Sequence, residues 1–170
     1  MTISSIPRTT DNGDGMIELV ALHRDLKGSA RWLEPAMERI RAMGNRWGGG
    51  GDALVDTVWQ QYAAKSPALG LWVGVKADEV VGHCLADIRG WDGKAVAWVL
   101  QMEVDEPVNR AYRDYVLKTI DEWALEAARV LKVTVDRQVM ATPRMVDSWA
   151  RLSGFTPFRV LHERPIPRRG

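Results

Sequence analysis

The chain has 170 residues, enough for one domain with a substantial core, and at 46% hydrophobic and 26% charged its composition excludes wholesale disorder. A formal net charge of +1 gives no global reason to expect a nucleic-acid or membrane partner, although it leaves a local basic patch open. The single cysteine, Cys84, excludes an intramolecular disulfide and a cysteine-cluster zinc site, and points to a reducing, cytoplasmic setting.

Residues 1–15 are polar, with no periodicity and no apolar signal core, and read as a flexible N-terminal arm. No apolar run approaches the length of a membrane span. Met16 to Leu22 reads as an opening strand, although so short an apolar run is also compatible with a helix. From Ala30 to Met43, Leu33, Ala36, Met37, Ile40 and Met43 recur at helical spacing. The glycine run 48–51 breaks the chain, and Asp52 is the expected N-cap of a second helix carrying Leu54, Val55, Val58, Trp59 and Tyr62.

Three strands follow. Leu71 to Lys76 and Val80 to Ile88 flank a tight turn at Ala77-Asp78-Glu79, and the polar stretch from Arg89 to Lys94 is expected to form a second hairpin loop. The third strand alternates, with Val96, Trp98, Leu100, Met102 and Val104 on one face. Ala97, Val99, Gln101, Glu103 and Asp105 take the other. After Pro107 the period changes: Tyr112, Val116, Ile120, Trp123, Ala127 and Leu131 mark a long amphipathic helix. A strand at Val133 to Val135, a helix from Pro143 to Ser153 closed by Gly154, and a strand from Phe158 to Glu163 complete the order, before a short basic tail at 164–170.

Strand, helix, helix, three antiparallel strands, helix, strand, helix, strand describes an α/β layered domain with a mixed, mostly antiparallel central sheet flanked by helices. Over residues 16–163 this order resembles the GCN5-related N-acetyltransferases (GNAT), with the acyl-CoA N-acyltransferase layout. The segments that carry it are LWVGVKADEVVGHCLADI, WVLQMEVDE and SWARLSGFTPF, with Gly154-Phe155 where the family keeps a Gly-Phe pair. The resemblance implies acetyl-CoA as cofactor, held where two parallel strands splay. Its pantetheine arm would pair with the backbone near Met102 and Val104. Its pyrophosphate would sit on the loop opening the next helix, near Asn109, Arg110 and Arg113.

Two departures from the family pattern stand out. The loop from Asp105 to Asp114 has no glycine, and Asp105 and Glu106 place two carboxylates where a pyrophosphate would approach. Arg110 and Arg113 are the expected compensation. The position that often holds a tyrosine acid is Ala150, beside Trp149.

Glu103 is the candidate base, on the polar face of the central strand, and Gln101 shares that face and would orient the acceptor. The rival reading of Glu103 is a solvated strand-end carboxylate. His83 and Asp87 share a strand face, but four residues of strand separate them by about 13 Å, too far for a hydrogen-bonded dyad. Cys84 falls on the opposite face as a small core residue. His23 and His162 have no companion pattern, and three His without ligand spacing leave no metal site. Eight Trp against two Phe and three Tyr is a skewed aromatic set, used either for core packing or to anchor an interface.

The leading expectation is therefore an N-acyltransferase moving an acetyl group from acetyl-CoA to an amine, on a small molecule or a protein. Its rival is a non-catalytic structural or interaction protein of the same fold, for example a phage virion component. Such a protein would assemble through a Trp-rich surface and the terminal arms, in the host cytoplasm or the virion. A nucleobase-modifying relative is a third reading, and would need a basic cleft.

Overall fold

Strand β1 (Glu18–Ala21) leads through a 3-10 turn (Ala30–Trp32) into helices α1 (Leu33–Arg46) and α2 (Gly51–Ala63). Strands β2 (Leu69–Lys76), β3 (Glu79–Trp91) and β4 (Lys94–Val104) follow, then helix α3 (Arg110–Leu131) and strand β5 (Val135–Ala141). This computed structural model describes residues 16–24, 27–46, 49–91 and 93–141, with backbone only at 91 and 136–141. The sheet order is β1-β2-β3-β4-β5. The first four strands are antiparallel, and α3 crosses over to lay β5 parallel to β4. The expected mixed, mostly antiparallel sheet with flanking helices is what the chain forms. The arms, the helix from Pro143, Ala150, Gly154-Phe155, His162 and the strand from Phe158 lie outside the described residues.

Two cores follow from the alternation of side chains along β2. Leu71 and Val73 face α1 and α2, where Leu22, Trp32, Met37, Ile40, Val55 and Val58 are buried with Leu85. Trp72 faces α3, with Cys84, Ala86, Tyr112, Val116, Ile120 and Trp123. Trp32, Trp72 and Trp123 are core residues, whereas Trp59 stands exposed on α2 with its ring edge-on to Tyr62.

Several boundaries differ from the sequence expectation, each for a physical reason. Gly50, at φ 85°, caps α2, so Asp52 falls inside the first turn and pairs with Arg41 instead. The second hairpin is tight: pairing runs out to Trp91 and Lys94, with Gly93 at φ 74°. The strand expected at Val133 begins at Val135. Lys132 takes a left-handed φ of 55° and the Val133 N–H donates back to the Ala128 carbonyl, so both residues serve the helix C-cap.

The largest correction concerns β4. Pairing with β3 slips between Leu85↔Gln101 and Ala86↔Val99, which leaves Leu100 as the extra residue of a β-bulge. Ala97 and Val99 pack on the α3 side and so does Met102, while Leu100 packs on the α1/α2 side. The expected strict alternation along β4 therefore breaks at Leu100. Below the bulge Gln101 and Glu103 turn towards α1.

His23 is half-buried, edge-on to Trp72, with Nδ1 3.0 Å from the Leu71 backbone N–H and carbonyl oxygen. Burial lowers its pKa from 6.5 to about 4. Between those values the unfolded chain takes up a proton that the folded chain refuses, so acidification erodes stability, by about 3 kcal/mol in the limit. His83, also lowered by burial, acts in the same direction. Asp87, raised by burial, acts in the opposite one. Urea unfolding of wild type and His23→Phe at neutral pH and pH 4.5 isolates the term: the acid loss should be clearly smaller in the variant. Equal losses would place the burden elsewhere.

Candidate functional site

The edge of β4 that faces β5 is paired only along its first half. Ala95 to Val99 match Val135 to Ala141, and from Leu100 to Val104 that edge finds no strand partner among the described residues. The other edge stays paired to β3 as far as Val104. Among the described residues the sheet thus opens on the β5 side at the bulge, beside Met102 and Val104.

On the α1 side of this opening lies a polar cluster. Gln101 is buried, with its Nε2 donating to the Ile40 carbonyl at 3.1 Å and its Oε1 2.9 Å from His83 Nε2. Its amide is committed at both ends inside the protein, so any effect on an acceptor passes through His83. Glu103 is partly exposed, accepting from Arg46 at 2.5 Å and from Arg39 at 3.4 Å. Arg39 also grips Asp105 with two hydrogen bonds, of 2.6 and 2.9 Å, and holds its carboxyl below the usual carboxylate range. Glu103 therefore sits in an ion-pair network anchored on α1, unlike the solvated carboxylate of the rival reading.

The loop from β4 to α3 overturns one expectation. Asp105 and Glu106 do not stand as uncompensated charges against an approaching anion. Arg39 neutralises the first, and Lys76 Nζ donates to both oxygens of Glu106 at 2.9 and 3.1 Å. Asn109 is the N-cap of α3, its Oδ1 accepting from the Tyr112 N–H at 2.9 Å. The backbone N–H groups of Arg110 and Ala111 precede the first intrahelical bond and have no helical acceptor. Arg113 reaches back to the Val108 carbonyl at 3.4 Å, and Arg110 lies exposed, 3.7 Å from Asp114.

Other candidates stay apart. Asp87 is held by Arg89 at 2.7 Å, well away from His83. The Cys84 thiol is buried on the α3 side and pushed up to about 12, so it offers no thiolate nucleophile. A cleft of about 310 Å³ lined by Glu18, Arg31, Trp32 and Asp78 lies against β1, at the opposite edge of the sheet. Arg39, Arg46 and Lys76 escaped sequence reasoning. Arg39 and Arg46 are seven residues apart, two helical turns, which puts them on one face of α1. Nothing local marks their partners across 57 and 64 residues.

No protein-family model matches the chain, and no curated protein sequence does. Solved structures match it along nearly its whole length at low identity. One is a protein of Clostridium acetobutylicum described as a predicted acetyltransferase and solved with acetyl-CoA. It is 12% identical, with a TM-score of 0.56, covering 88% of this chain and 96% of that one. A second is an aminoglycoside N-acetyltransferase solved with CoA, 15% identical, TM-score 0.56, covering 92% and 99%. A third, described as a probable acetyltransferase, is 12% identical with a TM-score of 0.52, covering 91% and 98%. Likeness at such identities speaks for the fold, and the fold is that of these acetyltransferases. None of the three lends support to a phage or virion origin. Among the described residues no helix is long and apolar enough to cross a membrane.

Proposed function

We propose that the chain is an N-acyltransferase that uses acetyl-CoA to acetylate an amine. The observation that carries this reading is the β4 edge at Leu100–Val104, without a strand partner among the described residues and set between a helix N-terminus and the Glu103 cluster. The residues present fit such a cofactor. The Met102 and Val104 backbone would pair with an amide-bearing arm. The Arg110 and Ala111 N–H groups, with the Arg113 and Arg110 side chains, would meet the phosphates. Pairing of Asp105 and Glu106 with Arg39 and Lys76 removes the electrostatic objection raised by the glycine-free loop.

When bound, the cofactor supplies the acyl group as a thioester. The chain's own part is to hold the acceptor nitrogen at the opening and to take its proton on Glu103. The acceptor is an amine on a small molecule or a protein. Calorimetric titration of the full chain with acetyl-CoA should show saturable heat with a micromolar dissociation constant. Absence of heat at high micromolar acetyl-CoA overturns the reading.

One observation favours a second reading, a non-catalytic protein of the same fold. Asn109 already occupies the Tyr112 N–H, a donor that a glycine loop would leave for phosphate. The same titration separates the two, and Asn109→Gly should strengthen binding in an enzyme and leave a non-binder unchanged.

A further inference from the structure

A buried hydrogen-bond chain fixes the tautomer of His83. The Ile40 carbonyl on α1 can only accept, so Gln101 turns its Nε2 towards it and its Oε1 towards the His83 Nε2. An amide oxygen also only accepts, so Nε2 must carry the ring proton. In the neutral ring Nδ1 is then a bare acceptor. It is buried without a hydrogen-bond partner, 4.0 Å from Glu103 Oε2. A complementary orphan belongs to a cation paired with the same carboxylate. Arg39 Nε is buried with its N–H unmet, while another nitrogen of that guanidinium lies 3.4 Å from Glu103 Oε2. One unsatisfied acceptor and one unsatisfied donor beside a single carboxylate oxygen is the arrangement that one buried water satisfies.

We propose that His83 and Glu103 hold the reaction's proton as one unit, linked by a water lodged between Glu103 Oε2, Arg39 Nε and His83 Nδ1. This rests on the acyltransferase reading. Before transfer, the water accepts from Arg39 Nε–H and donates to Nδ1 and to the carboxylate. When the acceptor's N–H bond breaks, the proton goes to Glu103. The new O–H donates to the water, which keeps its bonds to Arg39 and Nδ1, and nothing is oxidised or reduced. Without His83, the inward side of a protonated Glu103 would face the donors of Arg39 and Arg46. Its O–H needs an acceptor at the end of the line, and Nδ1 is the acceptor that the cluster leaves unused. His83 is a positioning residue in this scheme, since it acts through Glu103.

The surroundings keep the ring in the required state. Burial holds the imidazole below its ordinary value, the Gln101 hydrogen bond opposes it, and Arg39 and Arg46 push with burial against Glu103. Asp105 is the remaining charged group in the cluster, tied to Arg39. From β2 the residue opposite His83 is the apolar Val73.

Histidine-labelled full chain, read by long-range proton–nitrogen NMR, tests this without substrate or cofactor. The chain has three His, so the ring signals are few. Wild type at neutral pH, with the His23 ring assigned by its loss in His23→Phe, should show the His83 ring as the Nε2–H tautomer, with Nδ1 at the shift of an unprotonated nitrogen. Glu103→Gln should move that Nδ1 signal and its titration. Glu103→Asp, which shortens the carboxylate but keeps its charge, should move it as well. An Nδ1–H tautomer in wild type, or an Nδ1 signal indifferent to both variants, overturns the proposal. Failure here with intact acetyl-CoA binding would leave the acyltransferase reading standing, and the reverse outcome would separate them equally well.

Discussion

Trp123→Ala is expected to lower the free energy of unfolding by about 3–5 kcal/mol. The indole is almost fully buried in the core between α3 and the sheet. Its ring meets Trp72 edge-on at 5.6 Å, and its Nε1–H donates to the Leu69 carbonyl at 3.1 Å. The backbone is adapted to it. A Cβ on Gly70 would lie 2.9 Å from the Trp123 ring and 2.7 Å from that of Trp72, so neighbouring positions have no freedom to fill the cavity left behind. Trp123→Phe separates the two contributions. It keeps most of the apolar contact but strands the Leu69 carbonyl, at a cost of about 1–3 kcal/mol. Urea midpoints at an unchanged denaturant slope measure both. An alanine variant within about 1 kcal/mol of wild type would mean that this cluster does not pin the sheet to α3.

Crowding where α1 meets α2 sets the second expectation. A Cβ on Gly51 would stand 2.2 Å from the Arg41 carbonyl oxygen and 2.7 Å from Asn45 Oδ1, and a Cβ on Gly44 would stand 2.8 Å from the Gly51 Cα. Helix backbones touch there, and Asn45 Oδ1 accepts the Gly51 N–H at 3.1 Å. Gly51→Ala should cost about 3 kcal/mol, because the oxygen it strikes belongs to the helix backbone and cannot turn aside as a side chain would. Gly50→Ala is the informative contrast. At φ 85° it is strained by handedness, yet its Cβ would project into open space, so a cost nearer about 1–2 kcal/mol follows. Thermal or urea unfolding of the pair tells crowding from handedness, and equal costs would refute the close approach. Because α1 also carries Arg39 and Arg46, Gly51→Ala should loosen the ion pairs around Glu103.

What could be read from the residues alone divides by the range of the forces involved. Spacing of Tyr112, Val116, Ile120 and Trp123 locates α3, since one face of one helix must meet the sheet. The β2–β3 hairpin is equally local. Its partner hairpin was harder to read, although Asp92-Gly93 is a strong turn signal. Arg89, Gly90 and Lys94 lie exposed in their strands, so their polarity imitates a loop. The candidate site was partly legible. Glu103 and Gln101 share a face as their spacing suggests, and His83, which the residues alone set with Asp87, joins them from β3. The charges of Asp105 and Glu106 misled because the cations that answer them, Arg39 and Lys76, arrive from other elements. No pattern within a short window encodes such pairings.

The bulge at Leu100 carries a consequence for how this strand tolerates change. Leu100 and Gln101 both face α1 against the single Leu85, so the extra residue is what sets every later side chain of the strand on its face. Were Leu100 held in step with β3 instead of bulged, strict alternation would resume. Gln101 and Glu103 would swing into the apolar layer of Cys84 and Ala86, and Met102 would be presented to Arg39. The strand carries two registers in one run, a packing register before Leu100 and a chemical register after it. Deleting Leu100 would leave Gln101 opposite Leu85 and the facing of the site intact, whereas a slip that takes Leu100 into step keeps every side chain of the site yet dismantles it.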